Sequence, residues 1–414
     1  MKAAFLTLGC KLNYAETSTY ERAMKAAGLE VVPWQEEADV YVVNTCTVTA
    51  TSDAKSRNIV RKMHRVCPSA AIVVTGCSAS LRRGDYEAIE GVARVFGSHE
   101  KSLVVPETLA LLGLKGGCGV DGSTVFGAYS TGERTRSFLK VQDGCNNFCK
   151  YCTVPYARGE SRNIPIEECV RNARAIAAEG VKEIVLTGVN TGDFGRTTGE
   201  SFLDLLKALD EVEGIERYRI SSIEPNLITE PIVDWIAGGT KFQPHFHIPL
   251  QTGCDDLLKT MGRHYDTAFF ASRIAYIRSR LEGAGRPKVF FGIDCMVGLP
   301  GETQEHFERT CAFIESIRPA FVHVFPYSRR PGTPAASMPL QQTERTKHER
   351  VLALEALSSR LHAEFIEANR GIAEKVLFES KEKDGTMSGY TGNYIRITAP
   401  YDPESVGRLK DIVI

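Results

Sequence analysis

The sequence predicts an α/β protein in three parts: an amino-terminal parallel-sheet α/β domain, a partial (β/α)6 barrel and a short carboxyl-terminal antiparallel β module. Three observations predict it. Short apolar runs alternate with helical patterns over residues 1–97 and again from Ser137 onward, as parallel strands joined by right-handed crossovers require. A glycine-rich interval holding Gly113, Gly116, Gly117, Gly119, Gly122, Gly127 and Gly132 separates the two stretches and reads as a linker or an edge hairpin. The tail alternates apolar residues with glycines (GYTGNYIRIT). The expected divisions are residues 1–113, a linker over 114–136, the barrel with a trailing helix over 137–370, and the module of 371–414, which is short for a complete independent domain.

In the first part, Lys2–Leu8, Asp39–Asn44 and Ala70–Thr75 read as strands and Val92–Phe96 as a fourth. Asn13-Tyr14-Ala15-Glu16 offers a capping-box-like start to a helix ending at Ala27, and a second helix spans about Ser52 to Arg65. Barrel strands are expected at Phe138–Gln142, Glu183–Thr187, Arg217–Ser221, Phe246–Leu250, Val289–Asp294 and Phe321–Phe325. Between them fall helices at Ile166–Ala178, Phe202–Val212, Ile228–Ala237, Ala268–Leu281 and Gln304–Ile317. Six units suit an open barrel better than a closed eight-fold one. Gln341–Asn369 reads as one long amphipathic helix.

Apolar and charged fractions of 43% and 24% are those of an ordinary globular protein. No apolar run approaches the ~20 residues of a membrane helix, and Ala3–Leu8 is too short for a signal peptide, so no membrane association and a cytoplasmic location are expected. With a net charge of −1, affinity for RNA has to come from local patches. Twelve cysteines are many for a reducing compartment, where they are buried, reactive or bound to metal.

Cys145, Cys149 and Cys152 form a C-x3-C-x2-C run just after the first barrel strand, able to hold three corners of one cubane cluster. A structural zinc site needs a fourth ligand at matching spacing, and neither a CxxC partner nor a His pair follows. Cys10, Cys46 and Cys77 are distant in sequence, yet each lies one or two residues past a strand end (FLTLGC, VVNTC, VVTGC). Loops at the carboxyl ends of parallel strands meet in one crevice, which makes a second three-thiol site; the alternative is three buried cysteines. Cys67 sits near a helix end, Cys118 in the linker and Cys169 at a helix start, while Cys295 and Cys311 read as core. Cys254 follows a strand end (PLQTGC) and either packs or borders the site.

The spacing of Cys145, Cys149 and Cys152, with an aromatic before the third, resembles the radical S-adenosylmethionine (SAM) superfamily. Together with LGCKLNYAET, NTCTVT, VTGCSA, QDGCNNFCKYCTVPYARGESR, LTGVNTGDFG, ISSIEPN, HIPLQTGCD, GLPGET and FPYSRRPGTPA, it makes the whole chain similar to the radical SAM methylthiotransferase family. That resemblance implies two [4Fe-4S] clusters: an auxiliary one on Cys10, Cys46 and Cys77, and a SAM-binding one on Cys145, Cys149 and Cys152. It implies a radical SAM barrel, a TRAM-like RNA-binding module in the tail, and chemistry carried by clusters and SAM with no catalytic side chain. One SAM would methylate a sulfur at the auxiliary cluster and another would supply the radical that takes hydrogen from carbon. Both clusters must then face one cavity, with the amino-terminal domain capping the barrel mouth. The opening LGCKLNYAET is most similar to the MtaB branch, which acts on N6-threonylcarbamoyladenosine beside the anticodon. Implied partners are the tRNA anticodon stem-loop and an electron donor such as flavodoxin or ferredoxin, with the chain a monomer.

SAM contacts are expected from Tyr151, from Thr187, Gly188 and Asn190 after the second barrel strand, from Ser222 and Glu224 after the third, from Gln251 after the fourth and from Val297 after the fifth. Asn190 equally suits a loop cap, and Glu224 equally suits an ion pair with an arginine. Lys55, Arg57, Arg61, Lys62 and Arg65 make a basic helix face; Arg134, Arg136, Arg158 and Arg162 flank the cluster loop, with Arg329 and Arg330 after the last strand. These suit a phosphate backbone or a solvated surface. Tyr390, Asn393, Tyr394 and Arg396 suit single-stranded RNA or core packing. Rival functions are methylthiolation of isopentenyladenosine or of a ribosomal protein, and a non-catalytic iron–sulfur RNA-binding protein.

Overall fold

In the computed structural model, residues 1–114, 125–132, 135–382 and 384–414 are described; Cys118 and Arg134 and most of the expected linker lie outside them. The first part holds β1 (Lys2–Thr7), α1 (Lys11–Ala26), β2 (Glu30–Val32), β3 (Val40–Thr45), α2 (Ala50–Val66), β4 (Ala71–Gly76), α3 (Cys77–Leu81), α4 (Arg83–Glu87), β5 (Val92–Val95) and α5 (Val104–Leu111). Its strands form one parallel sheet in the order β2-β1-β3-β4-β5. All six residues of β3 are buried, as a central parallel strand covered on both faces requires. The three-residue β2 was not expected. Nor does Asn13 cap α1: the helix starts at Lys11 with Cys10 as N-cap, and the Asn13 amide donates to the carbonyls of Leu8 and Thr45 at 2.9 and 3.0 Å.

The second part contains β6 (Arg136–Lys140), β7 (Gln142–Asp143), α6 (Val154–Arg158), β8 (Arg162–Asn163), α7 (Ile166–Ala178), β9 (Glu183–Thr187), α8 (Phe202–Asp210), β10 (Arg217–Ile220), α9 (Glu230–Ala237) and β11 (His245–Gln251). It continues with α10 (Asp255–Met261), α11 (Thr267–Leu281), β12 (Phe290–Val297), α12 (Gln304–Ile317), β13 (Phe321–Pro326), α13 (Pro334–Ser337) and α14 (Glu344–Glu367). Parallel pairing gives two three-stranded arcs, β6-β9-β10 and β11-β12-β13, joined where Tyr218 bridges Phe242. Six strands curve without closing, and residues 128–130 pair antiparallel with the outer edge of β6 through Ser130 N to Phe138 O and Lys140 N to Ala128 O. Such cover blunts an otherwise free edge.

The tail is a four-stranded antiparallel half-barrel, β14 (Ala373–Lys381), β15 (Thr386–Tyr390), β16 (Arg396–Pro400) and β17 (Leu409–Val413), ordered β16-β15-β14-β17. It docks on the amino-terminal ends of the barrel strands. Arg219 forks onto buried Glu183 at 2.7 and 3.2 Å and donates to the carbonyls of Thr391 and Gly392 at 2.8 and 2.7 Å. Arg136 reaches Tyr394 and Glu379, and Arg217 the carbonyl of Tyr390. Tyr390 and Tyr394 stack at 4.7 Å, and Asn393 bonds Lys288 and Asn369, so this face packs against the barrel; Arg396 stays exposed with Glu382.

An ionic network joins the amino-terminal part to the barrel. Glu16 of α1 meets Lys101, Lys140 and Arg158 at 2.6, 2.9 and 3.4 Å, and Asp143 meets Lys140 and Arg158 at 2.7 Å each. No side chain in it is more than 2% exposed. Arg158 is thus sealed away from any phosphate; Arg330, nearly buried at the wall of the barrel-mouth cavity, pairs with Asp53 and Thr47 across the same joint, Arg57 pairs with Asp85, and Arg61, Arg65 and Arg329 remain exposed. Burial pushes the Glu16 carboxyl up, but Lys101, Lys140 and Arg158 outweigh it and hold it down to about 2. Burial likewise opposes ionisation of Asp143, yet Arg158, Lys140 and Lys101 keep it well below its ordinary range. No helix among the described residues is long and apolar enough to cross a membrane.

Two outcomes follow. Truncating Arg219 to Ala leaves Glu183 unmatched and orphans two carbonyls, so the thermal midpoint falls, by the equivalent of roughly 3–5 kcal/mol, and protease clips residues 373–414 first. Because Glu16 and Asp143 are held low, their stabilisation is complete above about pH 4.5 and drains away as pH falls toward about 2; urea midpoints at pH 7 and 5 agree, and that at pH 3 is lower.

Candidate active site

The first cysteine group is built by the loop between β7 and α6. Gly144 adopts φ 76° and a Cβ there would overlap the Glu160 carbonyl, so only glycine lets the chain turn into Cys145. The loop is pinned by Cys145 N to Gly159 O (3.0 Å), Ser161 N to Asn146 Oδ1 (2.8 Å) and Lys150 N to Met261 O (3.0 Å). Each sulfur accepts an N–H: Cys145 from Asn147 N at 3.5 Å, Cys152 from Val154 N at 3.4 Å, Cys149 from Arg263 Nη1 at 3.2 Å. Burial pushes Cys145 up to about 11 and Cys152 up to about 12. Thiols that resist ionisation in water-poor surroundings, yet are already furnished with donors, suit a bound cationic metal core that makes them thiolates.

These three cysteines line a cavity of about 360 Å3 at the carboxyl ends of the barrel strands. Tyr151, Asn190, Ser222, Glu224 and Gln251 also line it. Glu224 pairs with Arg263 at 2.8 Å, and its backbone N–H donates to Asn190 Oδ1. Gln251 takes the left-handed φ of 70° at a break in the β11–β12 register, which turns it off the strand line. Thr187, Gly188 and Val297 stand behind the wall: the Thr187 hydroxyl donates to Leu139 O, Gly188 abuts Gln142, and Val297 is fully buried.

Sequence reasoning did not single out Arg263, Gln142 or Asp294. Arg263 touches Cys149, Glu224 and the Tyr151 hydroxyl together. Gln142 accepts from the N–H groups of Val189 and Asn190 while donating to Gly144 O and Ser161, and so ties the cluster loop to the end of β9. Asp294 lines the cavity and holds His247 at 2.8 Å. Nothing local in the sequence marks any of them.

The second group sits at the carboxyl ends of β1, β3 and β4. Cys46 and Cys77 directly follow their strands and are buried; Cys10 follows β1 after a turn at Gly9 and is exposed. Gly9, at φ 100°, leaves no room for a Cβ, which would fall 2.7 Å from the Cys46 sulfur. Burial pushes Cys46 up to about 11, with Cys77 and Cys10 near enough to add to the rise. Cys77 is raised by burial against the pull of Arg158, whose Nε donates to its sulfur at 3.1 Å. The segment leaving Cys46, Val48 and Thr49, walls the same cavity as Cys145, Cys149 and Cys152, and Ala50 N donates to Ser328 Oγ beyond β13. The amino-terminal part therefore borders the barrel mouth and also lays α1 along the edge strand β6, with Tyr14 edge-on to Phe138. Cys254 is buried as the N-cap of α10; Cys169 and Cys295 are core.

Residues 2–97 match the family described as Uncharacterized protein family UPF0004, and residues 139–314 match the Radical SAM superfamily. The "Threonylcarbamoyladenosine tRNA methylthiotransferase MtaB" of Bacillus subtilis (strain 168) is 38% identical over 99% of this chain and 93% of its own length. A "tRNA-2-methylthio-N(6)-dimethylallyladenosine synthase" of Pelotomaculum thermopropionicum is 31% identical over 100% of this chain and 95% of its own. Among solved structures, the radical SAM methyltransferase TsrM of Kitasatospora setae, with cobalamin and a [4Fe-4S] cluster bound, superposes with a TM-score of 0.58 at 15% identity, over 81% of this chain and 77% of that one. That likeness is one of fold. A [4Fe-4S] cluster and SAM are the cofactors of the superfamily, and the residues at the barrel mouth fit them. The chain belongs to the radical SAM tRNA methylthiotransferases of the MtaB type, a family of transferases.

Proposed function

We propose that this enzyme adds a methylthio group to C2 of N6-threonylcarbamoyladenosine next to the tRNA anticodon. One [4Fe-4S] cluster binds Cys145, Cys149 and Cys152, and an auxiliary cluster binds Cys10, Cys46 and Cys77. The observation that carries the reading is the shared cavity: the chain emerging from Cys46 walls the chamber that the Cys145 loop lines. C2 of adenine has neither an acidic proton nor a leaving group, and the bound clusters and SAM supply the one-electron chemistry it demands. The protein binds, orients and excludes water. Asn190, Ser222, Glu224 and Gln251 offer SAM its polar contacts, Tyr151 its aromatic one, and Arg263 pairs with Glu224 and holds it in place. Thr187, Gly188 and Val297 shape the backbone behind those contacts.

The same reading divides the chain at 1–113, 114–136, 137–370 and 371–414, makes the tail a TRAM-like module that grips the anticodon stem-loop, and takes electrons from a flavodoxin- or ferredoxin-like donor to a cytoplasmic monomer. The substrate assignment is supported by the higher identity to the threonylcarbamoyladenosine relative. The 31% relative keeps dimethylallyladenosine as the second reading.

Nucleoside mass spectrometry of tRNA from a deletion strain decides the substrate: loss of the 2-methylthio mark on threonylcarbamoyladenosine is expected, loss on dimethylallyladenosine transfers the assignment, and an unchanged profile overturns it. Anaerobic reconstitution should give about eight irons per chain. Replacing Cys10, Cys46 and Cys77 by Ala should leave about four, with 5′-deoxyadenosine still released from SAM and methylthiolated product lost.

A further inference from the structure

The network at the joint carries an unbalanced charge. Lys101 lies 2.6 Å from Glu16, and Lys140 and Arg158 lie 2.7 Å from Asp143, so each cationic side chain has a carboxylate within ion-pair reach. Three cations face two carboxylates, an excess of one positive charge behind a seal that water does not cross. A buried excess charge is unfavourable unless an anion answers it. Arg158 shows where the anion belongs. Its Nη groups are spent on Asp143, Glu16 and Asn13, while its Nε donates to the Cys77 sulfur at 3.1 Å. A [4Fe-4S]2+ core on three thiolates carries one negative charge, which is the missing complement.

We propose that Glu16, Lys101, Lys140, Asp143 and Arg158 are the built-in counter-charge of the auxiliary cluster, and that Arg158 is a positioning residue that sets the cluster's reduction potential through Cys77. This rests on the two-cluster reading above. Net charge around a cluster and hydrogen bonds to its sulfurs both tune its potential. Removing a nearby positive charge makes an added electron less welcome, and removing a negative charge does the reverse.

The test uses the full chain carrying Cys145→Ala, Cys149→Ala and Cys152→Ala, which isolates the auxiliary cluster, with a redox titration followed by electron paramagnetic resonance. Arg158→Gln should shift the midpoint potential downward and Glu16→Gln upward. Arg158→Lys, which keeps the charge but loses the Nε bond to sulfur, should fall between the parent and Arg158→Gln. A scaffold role alone would lower iron content without moving potentials in opposite directions. Unmoved potentials, or shifts of the same sign in the two Gln variants, overturn the inference and leave the two-cluster reading standing. A parent that holds no cluster, against the expected about four irons, overturns both. If Arg158→Gln does not fold, Glu16→Gln decides alone: an upward shift supports the inference, and any other result overturns it.

Discussion

Charges that water cannot reach have to be answered by other charges, and both joints of this molecule are made that way. Glu16 and Asp143 fasten the amino-terminal sheet to the barrel through Lys101, Lys140 and Arg158, and Glu183 fastens the tail through Arg136, Arg217 and Arg219. Such pairs add little over well-packed apolar residues, but removing one partner strands the other at a high cost. An apolar interface can slide by a residue. A forked arginine on a buried carboxylate holds one position, and that is what two cysteine groups on separate sheets need if they are to open on one chamber.

Around that constraint the local chemistry is economical. Glycine stands where backbone must approach sulfur or carbonyl, at Gly9 and Gly144, and the thiols of the barrel loop are met by N–H groups from their own loop and from Arg263. The cavity wall is assembled from the ends of several strands, so no single segment contains the site. Gln142 illustrates the result: one side chain, placed just past β6, braces both the cluster loop and the β9 loop.

Elements with strong period and clear punctuation were legible in the sequence. Glu183–Thr187, Ile166–Ala178 and Gln304–Ile317 have the bounds their patterns imply, the last because Thr303 and His306 close a capping box. The placement of Cys10, Cys46 and Cys77 was legible because parallel topology brings strand ends together, and that of Cys145, Cys149 and Cys152 because their spacing sets them on one loop. The failures share a cause in long-range partners. Asn13 has a capping residue's propensity, but the Leu8 and Thr45 carbonyls claim its amide inside the helix. Arg158 and Arg330 suited a phosphate backbone or a solvated surface, and neither outcome holds because their carboxylate partners, Glu16 and Asp53, lie far off in sequence. The tail's tyrosines suited RNA or packing, and only the barrel floor reveals that packing claims them. β2 is three residues long, too short for any pattern.

The tail sits on the barrel floor, at the starts of β6, β9 and β10, while the cysteine loops crown the opposite rim. Strands of four or five residues rise ~3.3 Å per residue, so the two ends stand roughly 13–17 Å apart. A ligand that touches both must run the height of the wall, which a lone nucleotide cannot do. The architecture would act as a gauge for a polymer gripped at the floor, since the wall's height sets how far along that polymer the atom presented to the rim must lie.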